Sequence, residues 1–181
     1  VMSSTHALTN DEAALRLVVE GTVAETGVDF FRALVRNLAT ATNTGGAWVT
    51  EYLPAEKRLR AYAFWLDGRF IDQFEYPFAG TACEPVVEEK RLVHIPDRLI
   101  DLYPGDDDVR RLNAVSYLGV PLLDTGGEVM GHLSVLDHKP LPAQPRLISL
   151  FQVFAARAAA EQRRLRQELE VRSRAEELRA L

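Results

Sequence analysis

The chain has 181 residues, 47% hydrophobic and 26% charged, which suits one globular domain of ordinary size with secondary structure to spare. Its formal net charge of −5 hides an asymmetry: residues 143–181 hold eight Arg and five Glu, a balance of +3, so residues 1–142 sum to −8. An acidic globule is a poor grip for phosphate backbones, which argues against direct nucleic-acid binding, and a single Cys excludes an intrachain disulfide, so a reducing cytoplasm fits.

In chain order, Thr9-Asn-Asp-Glu12 has the form of a capping box and is followed by Ala14, Leu15, Val18 and Val19 on one stripe, which predicts a first helix over 9–20 within an N-terminal unit 1–26. After Gly27, Asp29 is placed to cap a second helix reaching Thr42, in which Phe31, Leu34, Val35 and Leu38 fall at i, i+3, i+4 and i+7. Gly45-Gly46 is expected to end it. The pattern then turns aromatic and β-branched: strands are predicted at 47–53, 59–65 and 70–76, with turns at 54–57 and at Leu66-Asp67-Gly68. These make an antiparallel meander. From Pro77 to Ala114 the pattern is irregular, with short helices expected at 83–89 and 106–112, a short strand at 92–95, and Asp97 capping a helix after it. Such a segment must lie across the sheet, where binding residues vary without unmaking the core.

The clearest signal is Ser116-Tyr-Leu-Gly-Val-Pro-Leu-Leu123, then Asp124-Thr-Gly-Gly127, then Glu128-Val-Met-Gly-His-Leu-Ser-Val-Leu-Asp137, a β-hairpin whose turn residues tolerate positive φ. Residues 146–181 contain no Gly or Pro and could form one helix of about 54 Å, whereas a domain of about 140 residues is under about 40 Å across, so this helix should project beyond the globule. Its first half carries an apolar stripe (Leu147, Leu150, Phe151, Phe154, Ala158); its second half thins to Leu165, Leu169, Val171, Ala175 and Leu178. The bland reading is a solvated, fraying terminus; the functional one is a dimeric coiled-coil linker to an output domain, favoured because the apolar spacing outlasts the globule. The longest apolar region, 147–160, is interrupted by Ser149, Gln152 and Arg157 and is too short to span a bilayer, so no membrane contact is expected.

Taken together, Phe78-Ala-Gly-Thr-Ala-Cys-Glu-Pro-Val86, Leu92-Val-His-Ile-Pro-Asp97 and the 116–137 hairpin resemble, in order and spacing, the GAF family of small-molecule sensor domains, in the branch found in bacterial signalling proteins and transcriptional activators. The resemblance spans roughly residues 29–137. It implies an α+β fold: a central antiparallel sheet of five or six strands, terminal helices on one face, and the 77–114 segment over the other. It also implies a non-catalytic sensor over 27–145, with 146–181 as the signalling helix of a homodimer covalently linked to a histidine kinase, diguanylate cyclase or transcriptional activator.

Enzyme chemistry has little purchase: there is no Gly-x-Ser-x-Gly elbow, Gly-x-x-x-x-Gly-Lys loop, His-Glu-x-x-His or Cys-x-x-Cys. Asp106-Asp-Asp108 cannot converge on one ion from a regular helix and reads as a solvated helix start favoured by the macrodipole. Bilin-binding relatives of this family place a His after their Cys; here Glu84 follows Cys83, and no cofactor is expected. Cys83 could ligate iron or zinc with Glu84, His94 and Asp97, although a buried structural thiol is the stronger reading. His94 reads as a satisfied structural residue. His132 shares a strand face with Met130 and Ser134, opposite Gly131, Leu133 and Val135, and either face could line a cavity. The expected ligand contacts for an unidentified small molecule are Trp65, Cys83, Glu84, His94 and Tyr117, with core packing the default for the aromatic ones. Two rivals stand beside the sensor: a ligand-free dimerisation module filled by side chains, and a metal or redox sensor centred on Cys83.

Overall fold

The computed structural model describes residues 26–181, so the helix expected over 9–20 lies outside them. The first described helix, α1 (Gly27–Thr42), buries Phe30, Phe31, Leu34, Val35 and Leu38 along one face. Its N-terminus is not capped locally. Thr26 is extended and gives no side-chain cap, and Asp29, expected to cap, lies in the first turn where its charge suits the helix dipole. The Gly27 amide instead donates to Glu161 Oε1, 2.8 Å away and 134 positions along the chain. The helix ends at Thr42 because Asn43 turns left-handed (φ 51) and donates back to the last turn; Gly46 belongs to the following strand.

Seven strands form one antiparallel sheet: β1 (Gly46–Leu53), β2 (Arg58–Leu66), β3 (Arg69–Phe70), β4 (Glu75–Pro77), β5 (Val93–Ile95), β6 (Ser116–Leu123) and β7 (Val129–Asp137). The order is β3-β2-β1-β7-β6-β5, with β4 also on β2. The strand expected over 70–76 is therefore two short pieces, parted where Gln73 takes a positive φ of 55. Asp67 (φ 48) and Gly68 (φ 88) both take the left-handed conformation needed for the tight β2–β3 turn. In the β6–β7 turn, Asp124 Oδ1 accepts from the amides of Gly126 (2.8 Å) and Glu128 (2.9 Å), while Gly127 takes φ 83.

A bulge decides which side chains face which layer. Val49 pairs with Ala63 but Thr50 pairs with Ala61, leaving Tyr62 as an extra residue on β2. An inserted residue exchanges the faces of everything beyond it. Leu59 lies under the irregular segment, but after the bulge Phe64 and Leu66 take that side and Trp65 goes to the other.

Each face has its own core. On one, α1 and the terminal helix α5 (Pro145–Ala180) pack Phe31, Leu34, Phe151, Phe154 and Ala158 against Val49, Val120, Leu133 and Val135. On the other, α2 (Cys83–Glu88), α3 (Leu99–Leu102) and α4 (Asp107–Arg111) cover Trp48, Phe64, Tyr76, Tyr117 and Leu136. Alternating faces that are both apolar are what a sheet covered on both sides requires. Asp97 does not cap α3; left-handed Arg98 occupies that position. Only the first half of α5 is buried, the last such residue being Gln162; Leu169, Val171 and Leu178 beyond it are 61%, 69% and 72% exposed. No described helix is long and apolar enough to cross a membrane.

Candidate ligand-binding site

Beneath the 78–114 cover, between it and the sheet, lies a partly open cleft. Its apolar wall is Trp48 from β1, Phe64 from β2, Phe74 and Tyr76 from the β4 edge; its floor includes Cys83 and Tyr117, and Asp106 and Asp108 stand at its rim. The rings form a chain, with centroids 5.4 Å apart for Trp48 and Phe64, 4.9 Å for Phe64 and Phe74, and 4.9 Å for Phe74 and Tyr76. The enclosed void is about 40 Å³, space for one or two waters; counted out through its open mouth the cleft reaches about 450 Å³.

The floor is a buried polar network built from five elements. His132 on β7 is fully buried; its amide donates to Thr50 Oγ1 (3.2 Å), and the Thr50 hydroxyl is hydrogen-bonded to His132 Nδ1 at 2.6 Å. His132 Nε2 faces Cys83 Sγ at 3.3 Å and the Tyr76 hydroxyl at 3.5 Å. Trp48 Nε1 donates to Tyr76 (2.9 Å), Tyr117 donates to Cys83 Sγ (3.4 Å), and Tyr117 and Ser134 hydroxyls are 2.9 Å apart. Gly119 makes the Tyr117 position possible, since a Cβ there would overlap the Tyr117 hydroxyl. Burial keeps all of these groups neutral: it pushes the Cys83 thiol and the Tyr76 and Tyr117 phenols up and the His132 imidazole down to about 3. A thiol raised by burial next to an uncharged imidazole is not an activated nucleophile.

Of the five residues expected to contact ligand, the structure brings Cys83 and Tyr117 together in this floor. Trp65 lies on the opposite face, edge-on to Phe70 (4.8 Å), because the bulge reverses the parity of β2. Glu84 turns outward and accepts from the Gly80 amide (2.9 Å). His94 points away from the neighbouring Val93 and Ile95, with Nε2 hydrogen-bonded to the Leu141 carbonyl at 2.8 Å. Cys83, Glu84, His94 and Asp97 therefore do not converge, and among the described residues no three His, Cys, Asp or Glu side chains stand where one metal ion could be held. Sequence reasoning missed the aromatic wall of Trp48, Phe64 and Tyr76, the Cys83–His132 contact across 49 positions, and Asp106. Asp106 does cap α4, accepting from the Val109 amide at 3.1 Å, but it is also half-buried at the rim, and burial raises its carboxyl. Its place beside Pro104-Gly105 signals the cap; nothing local signals the cleft.

A seven-stranded antiparallel sheet with helices α1 and α5 on one face and a cover of short helices on the other is an α+β sandwich. The GAF domain family model matches residues 27–161, three-quarters of the chain, and the chain belongs to that family. GAF domains are in general regulatory rather than catalytic modules. The fold is similar to the GAF domain of a phosphoenolpyruvate-protein phosphotransferase from Coxiella burnetii (TM-score 0.75, 17% identity, covering 88% of this chain and 96% of that one). The corresponding domain from Acinetobacter gives TM-score 0.71 at 16% identity over 88% and 96%. The chromophore-binding domain of the R. palustris bacteriophytochrome RpBphP3 gives 0.65 at 11% identity over 92% and 64%. No curated protein matches the chain in sequence.

Proposed function

We propose that this chain is the sensor segment of a multidomain bacterial signalling protein: a small molecule enters the cleft under residues 78–114, and its presence alters how two copies of α5 pair and so how a following output domain is held. The observation that carries this reading is the double role of β7. Its one face supplies His132 and Ser134 to the cleft network, while its other face packs Leu133 and Val135 against α1 and α5, and its Met130 carbonyl accepts from Gln162 Nε2 of α5 at 2.9 Å. A change at the cleft reaches the terminal helix through a single strand. We set the start of the linker after Gln162, the last buried residue of α5, and residues 27–162 as the sensor body.

The void of about 40 Å³ favours a second reading, a dimerisation module whose cleft is closed by its own side chains, since small-molecule pockets measure about 300–1000 Å³. One experiment separates the two. Spin labels at Glu176 in each copy report the helix-to-helix distance while small molecules selected by thermal shift are added. A ligand that both stabilises the protein and changes that distance supports the sensor; binding without a distance change fails it, because equal affinity for two arrangements shifts neither. A screen in which nothing stabilises the domain leaves the dimerisation module.

A further inference from the structure

The chemistry of the cleft is one-sided. Four aromatic rings, of Trp48, Phe64, Phe74 and Tyr76, form its wall; Asp106 and Asp108 stand at its rim; and no Lys, Arg or His is among its described lining residues. The network beneath offers few free donors, because the Tyr76 and Tyr117 hydroxyls, the Cys83 thiol and the Trp48 Nε1 already bond to one another or to His132 and Ser134. The two rim carboxylates are not equivalent. Asp108 is paired with Arg111 at 2.6 Å, whereas Asp106 has no basic side chain paired to it among the described residues. Burial disfavours its charged form, and Asp107 and Asp108 add like-charge repulsion. A carboxylate or phosphate ligand would meet an aromatic wall and this acidic rim with no cation to receive it. A positively charged ligand gains on both counts: electron-rich aromatic rings attract a cation, and it supplies the counter-charge that Asp106 lacks.

We propose that the cleft binds a small organic cation, an amine or quaternary ammonium whose head group lies among Trp48, Phe64, Phe74 and Tyr76 with Asp106 as its counter-ion. This rests on the sensor reading and adds the charge and class of the ligand. A head group of this kind is larger than the enclosed 40 Å³, so it seats by moving the α3–α4 cover outward, with the open part of the cleft giving room for a short chain. Ligand charge is thereby coupled to the position of the cover.

The test compares choline with 3,3-dimethylbutan-1-ol, its uncharged isostere, and with acetate, by titration calorimetry on the 181-residue chain. Choline should bind at least tenfold more tightly than the alcohol, and acetate should not bind. Asp106→Asn removes the charge but keeps an α4 cap, because Asn caps helices as well as Asp. It should lower choline affinity tenfold or more, leave alcohol affinity and the thermal melt unchanged, and so act through charge alone. Phe74→Leu, at the half-buried rim, should also weaken choline more than the alcohol. Equal affinity for choline and the alcohol, tighter binding of acetate, or full choline affinity in Asp106→Asn overturns the cation assignment while leaving a ligand-binding cleft. Failure of all three probes to bind overturns it too, and the thermal-shift screen above then decides the sensor reading separately.

Discussion

The Sγ of Cys83 lies 3.3 Å from Nε2 of His132, and both groups are neutral. In a catalytic thiol–imidazole pair the proton moves from sulfur to ring and the ion pair is stabilised by solvent or by further charge. Here burial among Trp48, Tyr76 and Tyr117 disfavours both ions and outweighs the hydrogen bonds by which Tyr117 and Tyr76 favour a thiolate, so the pair is a structural hydrogen bond in the floor of the cleft.

Cys83 is accordingly expected to be unreactive in the folded protein. Modification by a thiol-specific disulfide reagent should run about 100-fold more slowly in buffer than in denaturing urea, reflecting a buried thiol whose ionisation burial disfavours. Cys83→Ala strips a partner from Tyr76, Tyr117 and His132 together, and urea unfolding should show a loss of about 1–3 kcal/mol, the usual consequence of leaving buried polar atoms unsatisfied. A native-state rate equal to the denatured one would contradict the buried network.

The two histidines on and after β7 give stability opposite pH dependences. His132 titrates near 6.5 when unfolded but only at about 3 when folded, so between those values the unfolded chain alone binds the proton. Its contribution is complete above pH 6.5 and is lost as pH falls below it, at about 1.4 kcal/mol per pH unit. His138 is half-exposed and lies 3.0 Å from Asp67, which raises its folded value; its smaller contribution is present below 6.5 and lost as pH rises through that raised value. Unfolding measured from pH 7 to pH 4 should show the steep acid-side decline, and His132→Gln should flatten it.

Backbone proximity sets another outcome. A Cβ on Gly131 would overlap the Thr50 carbonyl across the β1–β7 ladder, where neither backbone can give way. Gly131→Ala should therefore destabilise the domain by about 3 kcal/mol or more. At Gly105 a Cβ meets nothing within 4 Å, and Gly105→Ala should stay within about 0.5 kcal/mol of the parent. Comparable losses at both positions, by urea unfolding, would be inconsistent with this packing.

Dimerisation through α5 is best tested beyond the buried half of the helix. Truncation at residue 145 would remove Phe151 and Phe154, both fully buried, and unfold the domain rather than divide a dimer. Leu169→Glu together with Leu178→Glu alters only residues that are 61% and 72% exposed, so the fold should survive. Light scattering should then report a monomer mass where the parent gives a dimer. An unchanged dimer mass would remove α5 as the interface.

The hairpin and the terminal helix were legible because each is a local statement. Two largely apolar runs on either side of Asp124-Thr-Gly-Gly127 fix two strands and their turn, and 36 residues without Gly or Pro leave a helix little alternative. The cleft was legible in position but not in its residues. Alternation along β2 assigns Trp65 to the same side as Leu59, and only the extra residue at Tyr62, set by pairing with β1, sends Trp65 to the helices and Phe64 to the cleft. Likewise the partners Cys83 and His132, or Gly27 and Glu161, are joined by tertiary packing across 49 and 134 positions, which no periodicity announces.

Near the end of its buried half, α5 is fastened within one turn by three side chains: Glu161 receives the Gly27 amide, Gln162 donates to Met130 and Arg163 donates to the Leu123 carbonyl at 3.0 Å. The helix then runs on through Ala180, eighteen residues past Gln162 or about 27 Å at 1.5 Å per residue. That turn is a fulcrum and the free stretch a lever arm. A bend of about 10° at that turn leaves the buried half seated on the sheet and displaces atoms along the 5.4 Å turn by about 1 Å, yet carries the far end through about 5 Å. A displacement too small to disturb the sheet is thus magnified to the width of a side chain by helix length alone.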